Sequence, residues 1–245
     1  MNSRAPFLVF LGAVLVYFAL SAGYIDTVDA EPSIETARSL IDSATLETHP
    51  EKAYLIAYAR AHGTDPHRGW YTKLGLGMPL LYIPAIGMGR TMHRFTGWPI
   101  NLCERFVVSQ VNVLLSACLV ACFFIFWSKQ TRNLSSLALA VATLAFSTLI
   151  LPYSKTCHRE IALGLFLSTA FMAAQNQRYF YTGISLALVF LIKNIIGIAV
   201  VPLMALCLFR SQTVQNRIKI LAPLALAVTT QLAFQSHAFG SAWNT

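Results

Sequence analysis

Charge is what this sequence has least of. Only 11% of its 245 residues are charged, 56% are hydrophobic, and the mean hydropathy is +0.58. A soluble domain carries roughly 25% charged residues, so a chain this poor in charge cannot cover a water-facing surface. That excludes an ordinary soluble enzyme or binding domain and points to a polytopic membrane protein. Acids are the scarcer sign, ten Asp and Glu against 18 Lys and Arg, for a net charge of +8. The cations fall mostly in short gaps between apolar runs, where they set topology; no nucleic-acid-binding motif occurs, and nucleic acid is not an expected partner. Cysteine is sparse as well. Five are scattered without a CxxC or a Cys/His zinc spacing, which leaves no sequence case for a structural zinc site. Cys118 and Cys122, four apart in an apolar stretch, read as small apolar filler. Low-complexity segments and clear repeats are also missing.

What is present is a series of apolar runs. The first, Ala5–Ala22, exceeds the ~7–15-residue core of a cleaved signal. It is therefore read as a retained membrane helix, although Arg4 makes a minimal basic flank and Ala19-Leu20-Ser21 a passable cleavage site. Later runs cover about Phe106–Trp127, Leu134–Leu151, Ile161–Ala174, Tyr179–Ile192, Ile195–Phe209 and Ile220–Phe234. The expected fold is an all-α transmembrane bundle of about 7 membrane helices forming a single domain over 1–245. The stretch 75–95 is expected to be kinked or re-entrant, because Pro79, Pro84, Gly75, Gly77, Gly87 and Gly89 interrupt it.

The one long polar segment, about 24–73, holds eight of the ten acids. Within it, Pro32–Ile41 has a helical start, with Asp29 as N-cap and Pro32 in the first turn. Ile34, Ala37, Leu40 and Ile41 share one face, as in a short amphipathic helix on a membrane surface, and Glu51–Ala61 is expected to form a second. Trp70 and Tyr71 read as interfacial anchors. With a cytoplasmic amino terminus and a Gly75–Arg90 stretch that does not cross, Lys129/Arg132, Arg178 and Arg210/Arg217/Lys219 all fall inside, and the acidic loop, YSKTCHRE and Lys193 fall outside. Lys73, Lys155, Arg159 and Lys193 are then cations on the outer side, where they need partners: the loop acids or an anionic ligand.

The acids suggest chemistry of their own. Asp26 and Asp29, three apart, would lie ~5–6 Å from each other on a helical turn. Like charges so close raise one pKa, which suits a general base near neutrality. His158, Arg159 and Glu160 read either as an acid/base group or as a helix-end salt-bridge cluster. Lys193 reads either as a phosphate ligand or as a side chain snorkelling to the interface. No cofactor is predicted. The acidic loop has carboxylates enough for a divalent metal, but no ligand spacing demands one.

Four stretches in order, VDAEPSIETARSLI, WYTKLGLGMPLLYIP, YSKTCHREIALGLFL and FLIKNIIGIAVVPL, resemble bacterial membrane glycosyltransferases of the GT-C class. More narrowly, they are similar to the branch of protein mannosyltransferases and aminoarabinose transferases. Members share an acidic motif before a T-A-R-S-L-like helix, a segment matched here by Tyr71–Pro84, and a Y-S-K-T segment followed by an acid, matched by Tyr153–Thr156 and Glu160. The resemblance implies a polyprenyl-phosphate-linked sugar donor at the outer leaflet of the bacterial inner membrane. It also implies an inverting transfer to a cell-envelope acceptor, with Asp29 as base and Asp26 as second choice. Lys73, Lys155 and Lys193 are the candidates to hold the donor phosphate, with Tyr71, His158, Arg159 and Glu160 in support. Members of the family usually run longer, so the chain corresponds to the amino-terminal half. On that reading, a second membrane subunit supplying the remainder, or a non-catalytic remnant, is the rival expectation; a transporter is the third.

Overall fold

The computed structural model describes residues 4–25, 30–48, 58–60, 70–72, 74–193, 197–211 and 213–240. Of the described residues 79% are helical and almost none are in strands, so the fold is all-α. In chain order the elements are α1 (Ala5–Leu20), α2 (Glu31–Ser43), β1 (Tyr58–Arg60), β2 (Trp70–Thr72), α3 (Gly77–Thr96), α4 (Ile100–Ser109), α5 (Val111–Trp127), α6 (Leu134–Phe146), α7 (Ile150–Ser154), α8 (Glu160–Gln175), α9 (Tyr179–Ile192), α10 (Gly197–Arg210) and α11 (Val214–Phe239). Among the described residues, two stretches are long and apolar enough to cross a membrane: Ile100–Trp127, 28 residues, and Val214–Phe239, 26 residues. At about 1.5 Å per residue either exceeds the ~30 Å hydrocarbon core. The other apolar helices are shorter. The glycine- and proline-rich stretch after Lys73 forms one helix, α3, with Pro84 inside it.

Whereas the sequence reading treats the chain as a single domain, it packs as two compact units: residues 1–27 with 87–172, and 28–86 with 173–245. In the first, α1 lies on α5 around a core of Ala13, Tyr17, Val113, Ala117, Val120, Ala145, Ile150 and Ile161. Tyr17 is fully buried, and its hydroxyl donates to the Ala145 carbonyl near the end of α6 at 2.9 Å. Gln110 Nε2 donates to Ser21 Oγ at 3.3 Å, while Leu8 and Val9 line a cavity with Val120 and Phe124, so α1 and α5 run antiparallel. Gly164 packs beside Leu119, and Phe171 meets Phe126 edge-on at 5.9 Å, so α8 runs parallel to α5. Asn133 caps α6, its side chain accepting from the Ser135 and Ser136 amides. Arg90 Nε donates to Glu104 Oε1 at 2.8 Å, which ties α3 to α4 around a Glu104 that is almost fully buried.

In the second unit α9 and α11 run parallel. Gly183 near the start of α9 rests on the backbone of Lys219 and Ile220 near the start of α11. At the far end, Gly77 rests on Ile192, and the adjacent Leu76 amide donates to Gln231 Oε1 at 3.5 Å. A Cβ on Gly183 would stand 2.7 Å from two carbonyl oxygens, and helix backbone cannot retreat as a side-chain tip can. Gly183→Ala is therefore expected to cost about 1–3 kcal/mol, lowering the thermal unfolding midpoint in detergent by on the order of 5 °C. An unchanged midpoint would contradict this packing.

The acidic segment departs from expectation in three ways. First, α2 begins at Glu31 with Ala30 as its N-cap, which makes no side-chain cap bond, and Asp29 lies outside the described residues. Pro32 does fall in the first turn. Second, the first half of α2 is enclosed rather than laid on a surface: Ile34 and Ala37 are buried, and so are Glu31, Ser33 and Thr36 on its other faces, while Ile41 near its end is exposed. Third, the expected helix Glu51–Ala61 is replaced where it is described. Tyr58–Arg60 is a strand, paired antiparallel with Trp70–Thr72 in the register Tyr58↔Thr72, Ala59↔Tyr71 and Arg60↔Trp70. The partner strand is built of Trp, Tyr and Thr, good strand formers, and this long-range pairing overrides the local helical pattern.

Candidate functional site

The best-built polar feature of the first unit is the turn between α7 and α8, residues Tyr153 to Glu160. Its irregular backbone leaves carbonyls that no helix ladder satisfies. Asn112, in the first turn of α5 and 1% exposed, satisfies two of them: its Nδ2 donates to Thr156 O and His158 O at 2.6 Å each, while Tyr153 O, 3.3 Å from the same nitrogen, also accepts from Thr156 Oγ1 at 3.3 Å. Irregular backbone inside an apolar bundle persists only where such donors exist. Ser154 and Cys157 are buried, which fixes the turn from the inside, while Lys155, His158, Arg159 and Glu160 are half-buried. Among the described residues Lys155, which follows α7 directly, has no ion pair. His158 Nδ1 stands 3.9 Å from Glu160 Oε2, too far for a hydrogen bond, and its ring lies 5.2 Å from that of Tyr153.

The same end of the unit receives the chain as it leaves α1. Ser21 bonds Gln110, two residues before Asn112, and Gly23 adopts a positive φ of 68° with its Cα face against the Phe106 ring. The end of α1 and the Lys155 turn thus both lie at the start of α5. Asp26 and Asp29 themselves lie outside the described residues. Lys129 and Arg132 follow the opposite end of α5, about 25 Å from Asn112 along the helix.

In the second unit, Lys193 follows the last residue of α9 and is half-buried. Gly75 and Gly77 pack on the Leu191–Ile192 backbone just before it. Lys73 lies outside the described residues, between the buried Thr72 and the half-buried Leu74. Tyr71 is not the interfacial anchor expected from the sequence. It is 3% exposed, its hydroxyl donates to Glu47 Oε1 at 2.9 Å, and its ring meets Phe234, His237 and Phe239 edge-on. Trp70, half-buried, is bridged to Thr48 through paired backbone bonds. Tyr71→Phe removes a hydrogen bond to a carboxylate, worth about 1.5–3 kcal/mol. Thermal unfolding should report a lowered midpoint, and an unaltered one would show that Glu47 does not need this donor.

No protein-family model, curated protein or solved structure matches this chain. The functional reading therefore rests on the residues themselves. Among the described residues no group of three or more His, Cys, Asp or Glu could hold a metal ion. Two apolar cavities in the first unit, of about 320 and 420 Å³, present no group suited to chemistry; Cys122 lines the smaller as apolar filler. Sequence reasoning missed Asn112. The signal was available, a carboxamide inside the apolar run Phe106–Trp127, where a polar side chain at membrane depth calls for a partner.

Proposed function

We propose that this protein is a multi-pass membrane glycosyltransferase with a cytoplasmic amino terminus. It moves a sugar from a polyprenyl-phosphate donor to a cell-envelope acceptor at the outer face of a bacterial inner membrane. Asp29, or Asp26 in its absence, accepts the proton of the incoming hydroxyl or amine. The nucleophile attacks the anomeric carbon from the face opposite the phosphate, the bond from that carbon to the phosphate oxygen breaks, and the configuration inverts. Charge gathers on the departing phosphate, where an ammonium stabilises it most. Lys155 is the lysine best suited to that role, with Lys73 and Lys193 as the other candidates.

The observation that carries this reading is the turn around Lys155, held by Asn112 at the start of α5, where Ser21, just past α1, bonds Gln110. The order of the four sequence motifs agrees with it. The test is transfer by the purified full chain in liposomes containing a radiolabelled polyprenyl-phosphate sugar and a lipid or peptide acceptor. Label in the acceptor that depends on the protein supports the proposal. Absence of transfer, with co-purification of a second membrane subunit, would favour the non-catalytic rival, and solute flux without transfer would favour a transporter.

A further inference from the structure

The start of α9 in the second unit holds a cation cluster that the proposed chemistry does not use. Arg178, Lys219, Gln177, Asn216, Tyr179 and Tyr181 line an open cavity of about 460 Å³. Two features make it a built site rather than a loose surface. The first is the turn that positions Arg178. Its amide donates back to Ala173 O at 2.8 Å, and the Gln177 amide donates to Ala174 O at 3.1 Å, so α8 closes in a Schellman-type turn with Gln177 left-handed at φ 57°. Glycine is the usual occupant of such a position, and here a side chain with amide donors stands at the cavity instead. The second is the close contact of Gly183 with the backbone of Lys219 and Ile220, which brings the ammonium of the second helix to the first.

The electrostatics are one-sided. From Ile161 to Thr245 the sequence has five cations (Arg178, Lys193, Arg210, Arg217 and Lys219) and no Asp or Glu. Among the described residues neither Arg178 nor Lys219 has an ion pair. The lining thus offers a guanidinium, an ammonium, two carboxamides and two phenols, all able to donate, and no carboxylate. That inventory fits a phosphate oxyanion. Phe180 and Tyr181 are exposed beside it, the aromatic composition of a membrane interface, so the phosphate comes on a lipid. We propose that this cavity seats the phosphate of an anionic phospholipid headgroup, independently of the sugar-transfer activity.

The experiment uses the full chain purified in mild detergent, mixed with phosphatidylglycerol or phosphatidylcholine, with retained lipids counted by native mass spectrometry. Wild type should retain phosphatidylglycerol in preference. Replacing both cations (Arg178→Gln with Lys219→Gln) should reduce retention about tenfold. The matched pair Lys129→Gln with Arg132→Gln, which removes equal charge elsewhere, should leave retention near wild type. Because Arg178 and Lys219 are exposed, folding should survive, and an unchanged thermal midpoint in the lipid-free protein checks this. Arg178→Lys supplies a second variant: charge is kept but the guanidinium fork is lost, and retention should fall to an intermediate level. Equal losses for the two charge pairs, or none for the first, would overturn the site. Inorganic phosphate displacing the lipid at millimolar concentration would overturn the lipid as its source.

Discussion

Asp29→Asn is expected to reduce sugar transfer by about 10²–10⁴-fold while leaving expression, folding and donor binding near wild type. The substitution keeps size and hydrogen-bonding shape but removes the only function a base needs, an acceptor for a proton. The acceptor hydroxyl must then attack the anomeric carbon while still protonated. The loss should appear in kcat more than in KM, because the proton moves only as the new bond forms. Asp26→Asn should cost less. If Asp29→Asn transfers at the wild-type rate and Asp26→Asn does not, the base is Asp26. If both are silent in a protein that does transfer sugar, the base is not in this segment.

The second large effect is expected at Asn112. Asn112→Leu keeps volume and loses the donor to the Thr156 and His158 carbonyls, both held at 2.6 Å, while Tyr153 O keeps the Thr156 hydroxyl. Each buried carbonyl left without a donor costs about 1–3 kcal/mol, so a total of about 2–5 kcal/mol is expected. The thermal midpoint should fall by on the order of 10 °C. Transfer should fall further than stability alone requires at temperatures where the variant is still folded, because the turn that carries Lys155 and His158 is no longer fixed. Asn112→Asp makes the sharper test. It is nearly isosteric, yet it sets a carboxylate oxygen against carbonyl oxygens, so it should be at least as damaging as leucine. A wild-type midpoint for Asn112→Asp would show that the three contacts are not what holds the turn.

How much of this was legible in the sequence follows from the range over which each signal acts. Helix is a local matter: runs such as Tyr179–Ile192 have the residues and the length, and α9 has those same bounds. Pro32 marks the first turn of α2 for the same reason, since its fixed φ and missing N–H suit that position and few others. The strand Tyr58–Arg60 could not be read that way. Its reason for being extended is Trp70–Thr72, a partner ten residues further on, and local periodicity carries no information about it. Tyr71 was misread for a related reason. An aromatic near a lysine and an apolar run resembles an interfacial anchor, and only the fold brings Phe234 and Phe239 around it and Glu47 to its hydroxyl. At the candidate site, Lys155 and the His158–Glu160 trio were visible as charges at a helix boundary. What fixes them, Asn112, lies more than forty residues earlier, and the sequence showed it only as one polar side chain among apolar ones.

The account depends most on the acidic segment after α1 and the three lysines sharing the outer face of the membrane. Single cysteines at positions 29, 73, 155 and 193, in a background with the five native cysteines replaced, can be probed in intact cells with a membrane-impermeant maleimide. The account predicts labelling from outside at all four positions, and labelling at position 129 only after permeabilisation. Position 29 reacting from one side of the membrane and positions 155 and 193 from the other would contradict it.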